Sequence, residues 1–130
     1  ALDWLVKGDR SALERDLQPP AMAFNLTVLN NLLGTPFEPD FAGVDLLIED
    51  VSEHLYRIDR MMFHVTASPN VRRVSRIRLG RVADVPENDP DFGTDEVAIV
   101  EDWCRRSGIA YGGRADIGHD AANRVVPFRM

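Results

Sequence analysis

The 130-residue sequence is poor in cysteine, in histidine and in basic charge, and it has no long apolar run. Its one cysteine, Cys104, excludes an intramolecular disulfide and is compatible with a reducing compartment. No stretch nears the roughly 18 apolar residues of a membrane helix. No charged-then-apolar leader opens the chain. The expectation is a cytoplasmic protein with no membrane partner. Lys and Arg number 15 against 21 Asp and Glu, a net charge of -6. Nucleic acid demands a basic face, so it is not an expected partner either. Arg72, Arg73, Arg76, Arg78 and Arg81 fall close together, but arginines spaced along a strand and its approach read as a solvated face.

Several kinds of chemistry are missing as well. His54, His64 and His119 are the only histidines, and none has a partner at i+4, so no metal site is expected. The loop Asn88-Asp89-Pro90-Asp91-Phe92-Gly93 fails as a calcium loop. Counted from Asp89, Gly93 falls at the fifth position rather than the sixth, and Val100 stands where the bidentate Glu belongs. There is no Gly-x-Gly-x-x-Gly and no phosphate loop, hence no expected cofactor. Ser11, Ser52, Ser68, Ser75 and Ser107 all lack the Gly-x-Ser-x-Gly context of a nucleophile. Cys104 falls on the core face of an expected helix, which reads as an inert buried thiol.

What is present is an apolar fraction of 45% and a charged fraction of 28%, the composition of one globular domain. Leu2, Trp4, Leu5 and Leu13 predict a short amphipathic helix broken near Gly8, and Gln18-Pro19-Pro20 ends it. Residues 1–18 are therefore expected to be a connecting segment, and residues 19–130 the domain. Ala21 to Phe24 is an expected buried strand. Asn25 is placed to cap a helix through Leu26, Leu29, Leu32 and Leu33, stopped at Gly34-Thr35-Pro36. Val44 to Ile48 is a second buried strand. Ser52 and Glu53 open a helix with Leu55, Ile58, Met62 and Val65 on one face. Val74, Ile77 and Leu79 lead into a strand that closes at Gly80. Thr94 is placed to cap a helix carrying Val97, Val100, Trp103 and Cys104, which Gly108 terminates. Short strands are expected at Ile109–Tyr111 and Val125–Phe128. Strand and helix alternate, which predicts an α/β fold with an at least partly parallel central sheet.

Two residues are placed for catalysis. Glu49 ends an expected parallel strand just before a helix, the edge where open α/β sheets gather their active groups. The alternative is a solvated acidic cluster with Asp50 and Glu53. His119 lies in Asp116-Ile117-Gly118-His119-Asp120, a loop in which Gly118 permits unusual backbone angles. Imidazole titrates near neutrality, as a general base must. The alternative is a surface histidine bonded to Asp116 or Asp120. A base and an orienting acid without a nucleophile make an incomplete site.

Five stretches in order resemble the LD-carboxypeptidase family, the murein tetrapeptide carboxypeptidase and microcin-immunity group. They are Phe24-Asn25-Leu26 through Leu32-Leu33-Gly34-Thr35-Pro36; Phe41-Ala42-Gly43 with Leu46-Leu47-Ile48-Glu49-Asp50-Val51; Glu53 with Tyr56-Arg57-Ile58-Asp59-Arg60-Met61; Leu79-Gly80-Arg81; and Ile117-Gly118-His119. The resemblance implies a swivelling β/β/α-type domain that supplies Glu49 and His119 to a Ser-Glu-His triad. It implies that an N-terminal flavodoxin-like domain of the same protein supplies the serine. It further implies a muropeptide substrate cut at the L,D amide bond to terminal D-Ala, in peptidoglycan recycling, with no metal or cofactor. Asn25 matches a segment near the substrate, although Ala23-Phe24 stands where many relatives carry two glycines. Asp120 likewise replaces a frequent glycine. On this reading the isolated chain is inactive, and an apolar face left uncovered by the missing domain favours a homodimer. Two other functions stay open: hydrolysis of a peptidyl-nucleotide antibiotic, or a non-catalytic interaction module. The first residue is Ala1 rather than Met, which fits a fragment or a processed product.

Overall fold

The computed structural model describes residues 2–128. Ala1, Arg129 and Met130 of the expected segments, and the side chain of Leu2, lie outside the described residues. Four strands, β1 (Ala21–Asn25), β2 (Asp45–Val51), β3 (Arg76–Ala83) and β4 (Tyr111–Arg114), form a sheet in the order β1-β2-β3-β4. Every pairing is parallel. Helix α1 (Leu2–Lys7) precedes the sheet. Helices α2 (Leu26–Leu32), α3 (Leu55–Ala67) and α4 (Glu96–Ser107) are the crossovers between successive strands.

A parallel sheet that grows in one direction puts its right-handed crossovers on one face. Leu26 and Leu29 of α2, Ile58, Met62 and Val65 of α3, and Ile99, Val100 and Cys104 of α4 share one core with Leu46, Ile48, Ile77 and Leu79. Strand alternation sends the intervening residues to the other face. There Ala21 and Leu47 pack with Ala115 and Ile117, and Leu17, Ala23 and Val126 cover them. That second face is thus sealed by two loops rather than by helices, and β2 is buried along its length.

The structure revises several expectations. α3 begins at Leu55, with His54 at its N-cap and no side-chain cap bond. Asp95, not Thr94, caps α4, accepting from the Ala98 amide at 2.8 Å. β3 runs through Gly80 to Ala83. β4 begins at Tyr111, later than expected, since the Ile109 amide donates to Cys104 O at the end of α4, and Gly112 then passes close to Arg76 and Arg78. A Cβ at Gly112 would lie 2.6 Å from Arg76 Cδ. Val125–Phe128 is not a strand; Val125 makes an isolated parallel bridge to Leu13. The arginine row is not simply a solvated face. Arg78 is buried against Glu14, Arg76 is paired with Asp45, and Arg81 holds a loop, while Arg72 and Arg73 are exposed.

Candidate functional site

The acidic pair Glu49-Asp50 divides at the end of β2, because successive side chains of a strand point to opposite faces. Asp50 turns toward the helices. Its carboxylate accepts from Asn25 Nδ2 at 3.0 Å, from the Thr27 amide at 3.1 Å and from Thr27 Oγ1 at 3.0 Å. It thereby fastens the first turn of α2 to β2. Glu49 turns to the loop-covered face, and its side chain is 10% exposed. Opposite it the ladder is irregular. Ile48 pairs with Leu79 and Asp50 with Val82, so Glu49 faces both Gly80 and Arg81. A bulge of this kind re-aims the side chains beside it.

The loop after β4 continues along the exposed edge of β3. The Ala115 amide donates to Leu79 O at 2.9 Å, and the Arg81 amide donates to Ile117 O at 2.8 Å. Gly80 makes that approach possible. A Cβ there would sit 2.6 Å from Ile117 Cγ1, 2.7 Å from Ile117 O and 3.1 Å from Glu49 Cβ. Gly118 serves a different purpose from the one its sequence context implies. It is not among the positive-φ residues; a Cβ on it would meet Arg81 Nε at 2.9 Å. Arg81 binds Asp120 through Nε at 2.6 Å and Nη2 at 2.9 Å, and Asp116 through Nη1 at 2.5 Å. Both aspartates that could have held His119 are therefore engaged by Arg81.

His119 instead places Nδ1 2.8 Å from Glu49 Oε2. With the carboxylate ionised, Nδ1–H donates and Nε2 carries the free lone pair. Among the described residues no hydrogen bond is made to Nε2, and the His119 side chain is 52% exposed. The bond to Glu49 and the Glu49 charge raise the imidazole pKa above its ordinary value; burial opposes this weakly and Asp50 adds to it. The pair borders an open cleft of about 670 Å³ at the C-terminal edge of the sheet. No serine, threonine or cysteine is among its lining residues.

Asn25 lines the same cleft, but both ends of its amide are engaged. Oδ1 accepts from the Val28 amide at 3.1 Å as the cap of α2, and Nδ2 donates to Asp50. The other candidates lie elsewhere. His64 Nδ1 contacts Asn30 Oδ1 at 2.7 Å, and His54 stacks on Tyr56. Cys104 is buried in the helical core, and burial pushes its thiol up to about 12. Among the described residues, no three His, Cys, Asp or Glu side chains gather as metal ligands. The roles of Gly80 and Arg81 and of the bulge were not apparent in the sequence, because each depends on the loop that arrives beside β3.

The model of a family described as the LD-carboxypeptidase C-terminal domain matches residues 20–130. A protein of Bacillus subtilis, named as a probable murein peptide carboxypeptidase, is 55% identical over 104 residues. That match takes in 80% of this chain and 33% of the relative. The crystal structure of a muramoyltetrapeptide carboxypeptidase from Oxalobacter formigenes superposes with a TM-score of 0.77 at 28% identity. It covers 90% of this chain and 40% of that one. A microcin C7 self-immunity protein has the same fold, with a TM-score of 0.64 at 18% identity over 82% of this chain and 31% of its own. The chain spans about a third of the length of the curated relatives it matches.

Proposed function

Because the chain belongs to the LD-carboxypeptidase C-terminal domain family, we propose that it is the Glu/His half of a serine-type LD-carboxypeptidase acting on muropeptides. The observation that carries this reading is the 2.8 Å contact of His119 Nδ1 with Glu49, with Nε2 free at the edge of the cleft. That is the geometry of a general base held in one tautomer by a partly buried acid. The serine comes from the part of the relatives' length that this chain does not span, and the isolated chain has no hydrolase activity.

In the complete site, His119 Nε2 takes the proton of the serine Oγ as that oxygen attacks the carbonyl of the L,D bond. The same nitrogen returns the proton to the amine of departing D-Ala. Water then repeats the cycle on the acyl-enzyme. Glu49 keeps the proton on Nδ1 and stabilises the imidazolium that forms in each half. A muropeptide is favoured over a peptidyl-nucleotide because the relatives named for murein and muramoyltetrapeptide substrates are the more similar in sequence. The self-immunity protein shares the fold alone. The reaction fits peptidoglycan recycling in a bacterial cytoplasm.

The test is D-Ala release from a muropeptide by the two-domain protein carrying Glu49→Ala or His119→Ala. Each change is expected to lower kcat by roughly 10³-fold or more. Turnover near the unsubstituted rate in either variant rejects the catalytic reading in favour of a non-catalytic module.

A further inference from the structure

Ahead of the matched residues 20–130 lies a segment with an unusual feature: Glu14, a carboxylate only 6% exposed. Its Oε1 accepts from Arg78 Nη2 at 2.9 Å, and its Oε2 accepts from the Asp116 amide at 3.0 Å. Arg78 also donates to Arg15 O at 2.9 Å and to Arg114 O at 2.8 Å. A buried ion pair repays its desolvation only when further hydrogen bonds satisfy its remaining lone pairs, and where those bonds go decides what the pair holds. This one also bonds the backbone at the entrance of the histidine loop, three residues before His119.

The exit of the loop is held by the same segment. The Glu14 amide donates to Val125 O at 2.9 Å, and the Val125 amide donates to Ala12 O at 3.0 Å. Arg124 Nη1 donates to Ser11 O at 2.8 Å and Leu13 O at 3.2 Å, while its Nε reaches Asp116 Oδ2 at 3.0 Å. Both ends of the stretch that carries His119 are thus fastened to residues 11–14. The sheet fixes Glu49 independently of this segment. Arg81 and the edge of β3 hold the loop from one side, and residues 11–14 hold it from the other, so the distance between acid and base depends on both anchors.

We propose that residues 11–14 act as a strap that positions the catalytic histidine, with Glu14 as the positioning residue. Glu14 does not line the His119 cleft. It acts by fixing Asp116, and through Asp116 the His119–Glu49 contact. The proposal rests on reading that pair as catalytic, but the contact can be measured without turnover.

The test is an NMR titration of the three histidines in this chain, with His54 and His64 as internal references. The charged groups around His119 are Glu49, Asp50, Arg81, Asp116, Asp120 and Arg124, and all are unchanged in Glu14→Gln. Glu49→Gln defines how far the His119 midpoint falls when its partner carboxylate is lost. Glu14→Gln is expected to reproduce about half of that fall or more, since a displaced loop weakens the same contact. The conservative Glu14→Asp is expected to recover part of it. An unshifted His119 midpoint in Glu14→Gln, whatever its thermal stability, overturns the strap. If Glu14→Gln does not fold, Arg124→Gln cuts the strap from the loop exit with the Glu14–Arg78 pair intact; loss of the Arg124 charge alone raises the His119 midpoint, so a fall supports the strap and an unchanged or raised midpoint overturns it. If Glu49→Gln itself leaves His119 unshifted, the pair is not coupled, and the strap falls with it. A shift in Glu14→Gln without loss of D-Ala release in the two-domain Glu49→Ala protein would keep the strap's coupling while rejecting the catalytic reading.

Discussion

Gly80→Ala is the sharpest perturbation the structure offers, because it adds one methyl group between the two halves of the pair. The new Cβ would meet Ile117 Cγ1 at 2.6 Å and Ile117 O at 2.7 Å. Ordinary contact begins at 3.4 Å, so the backbone oxygen, and the loop with it, must retreat by about 0.7 Å. Ile117 O cannot retreat by rotamer change, since it is backbone and accepts from the Arg81 amide. Overpacking of this kind costs about 1–3 kcal/mol. Relief of glycine's unfolded-state entropy offsets about 0.4–1 kcal/mol where the new residue fits without strain, so it recovers only part of the cost here. A net loss of roughly 0.5–2 kcal/mol is expected in urea denaturation. The functional effect should be larger in proportion, because His119 is two residues beyond Ile117 while Glu49 stays on the sheet. Displacement by about 1 Å costs on the order of 10²-fold in rate. The assay pairs a urea midpoint on this chain with kcat for D-Ala release by the two-domain protein. A variant with unchanged stability and unchanged kcat would refute the claim that Gly80 is required for the loop's approach.

Two further outcomes follow from the same geometry. His119 titrates above the ordinary imidazole value in the folded chain, because Glu49 accepts its Nδ1 proton. A group with a raised folded pKa contributes stability that is complete below the unfolded value and lost as pH rises through the folded one. The stability gap between the unsubstituted chain and His119→Ala should thus be wider at about pH 5.5 than at about pH 8.5; an equal gap at both would contradict the pairing. Asp50→Ala leaves the Thr27 amide and hydroxyl and the Asn25 amide group without their shared acceptor, and should lower unfolding free energy by about 1–3 kcal/mol. Asp50→Asn keeps the volume and one acceptor oxygen and should lose less; an Asn variant as stable as the unsubstituted chain, with Ala alone destabilised, would argue that packing rather than hydrogen bonding fastens α2.

Local signals carried much of the architecture. Apolar runs bounded by turn residues located β1 and β2, helical spacing located α3 and α4, and Asn25 and Gly108 mark helix ends in both the sequence and the structure. Alternation of strand and helix pointed to a parallel sheet, because a parallel connection needs a crossover. The same local signals failed at Val125–Phe128, where the extended run pairs as a strand only through one isolated bridge, Val125 to Leu13, among the described residues. They failed again at the arginine row, since Arg78 is charged in any sequence and buried only because Glu14 arrives 64 positions earlier in the chain.

The site divides in the same way. The sequence by itself placed Glu49 toward the carboxyl end of a buried strand, which in the structure runs two residues further to Val51, and His119 on a glycine-flanked loop, since both follow from neighbours a few positions away. Only the tertiary structure decided that Asp50 fastens the first turn of α2 while Glu49 meets His119 across 70 positions. That choice rests on strand alternation, which sends adjacent acids to opposite faces, and on a bulge whose glycine leaves room for the loop. It rests also on Arg81, which engages the two aspartates nearest His119 and leaves Glu49 as its partner. None of these is a property of any one residue. Each is a contact between segments that the fold alone brings together.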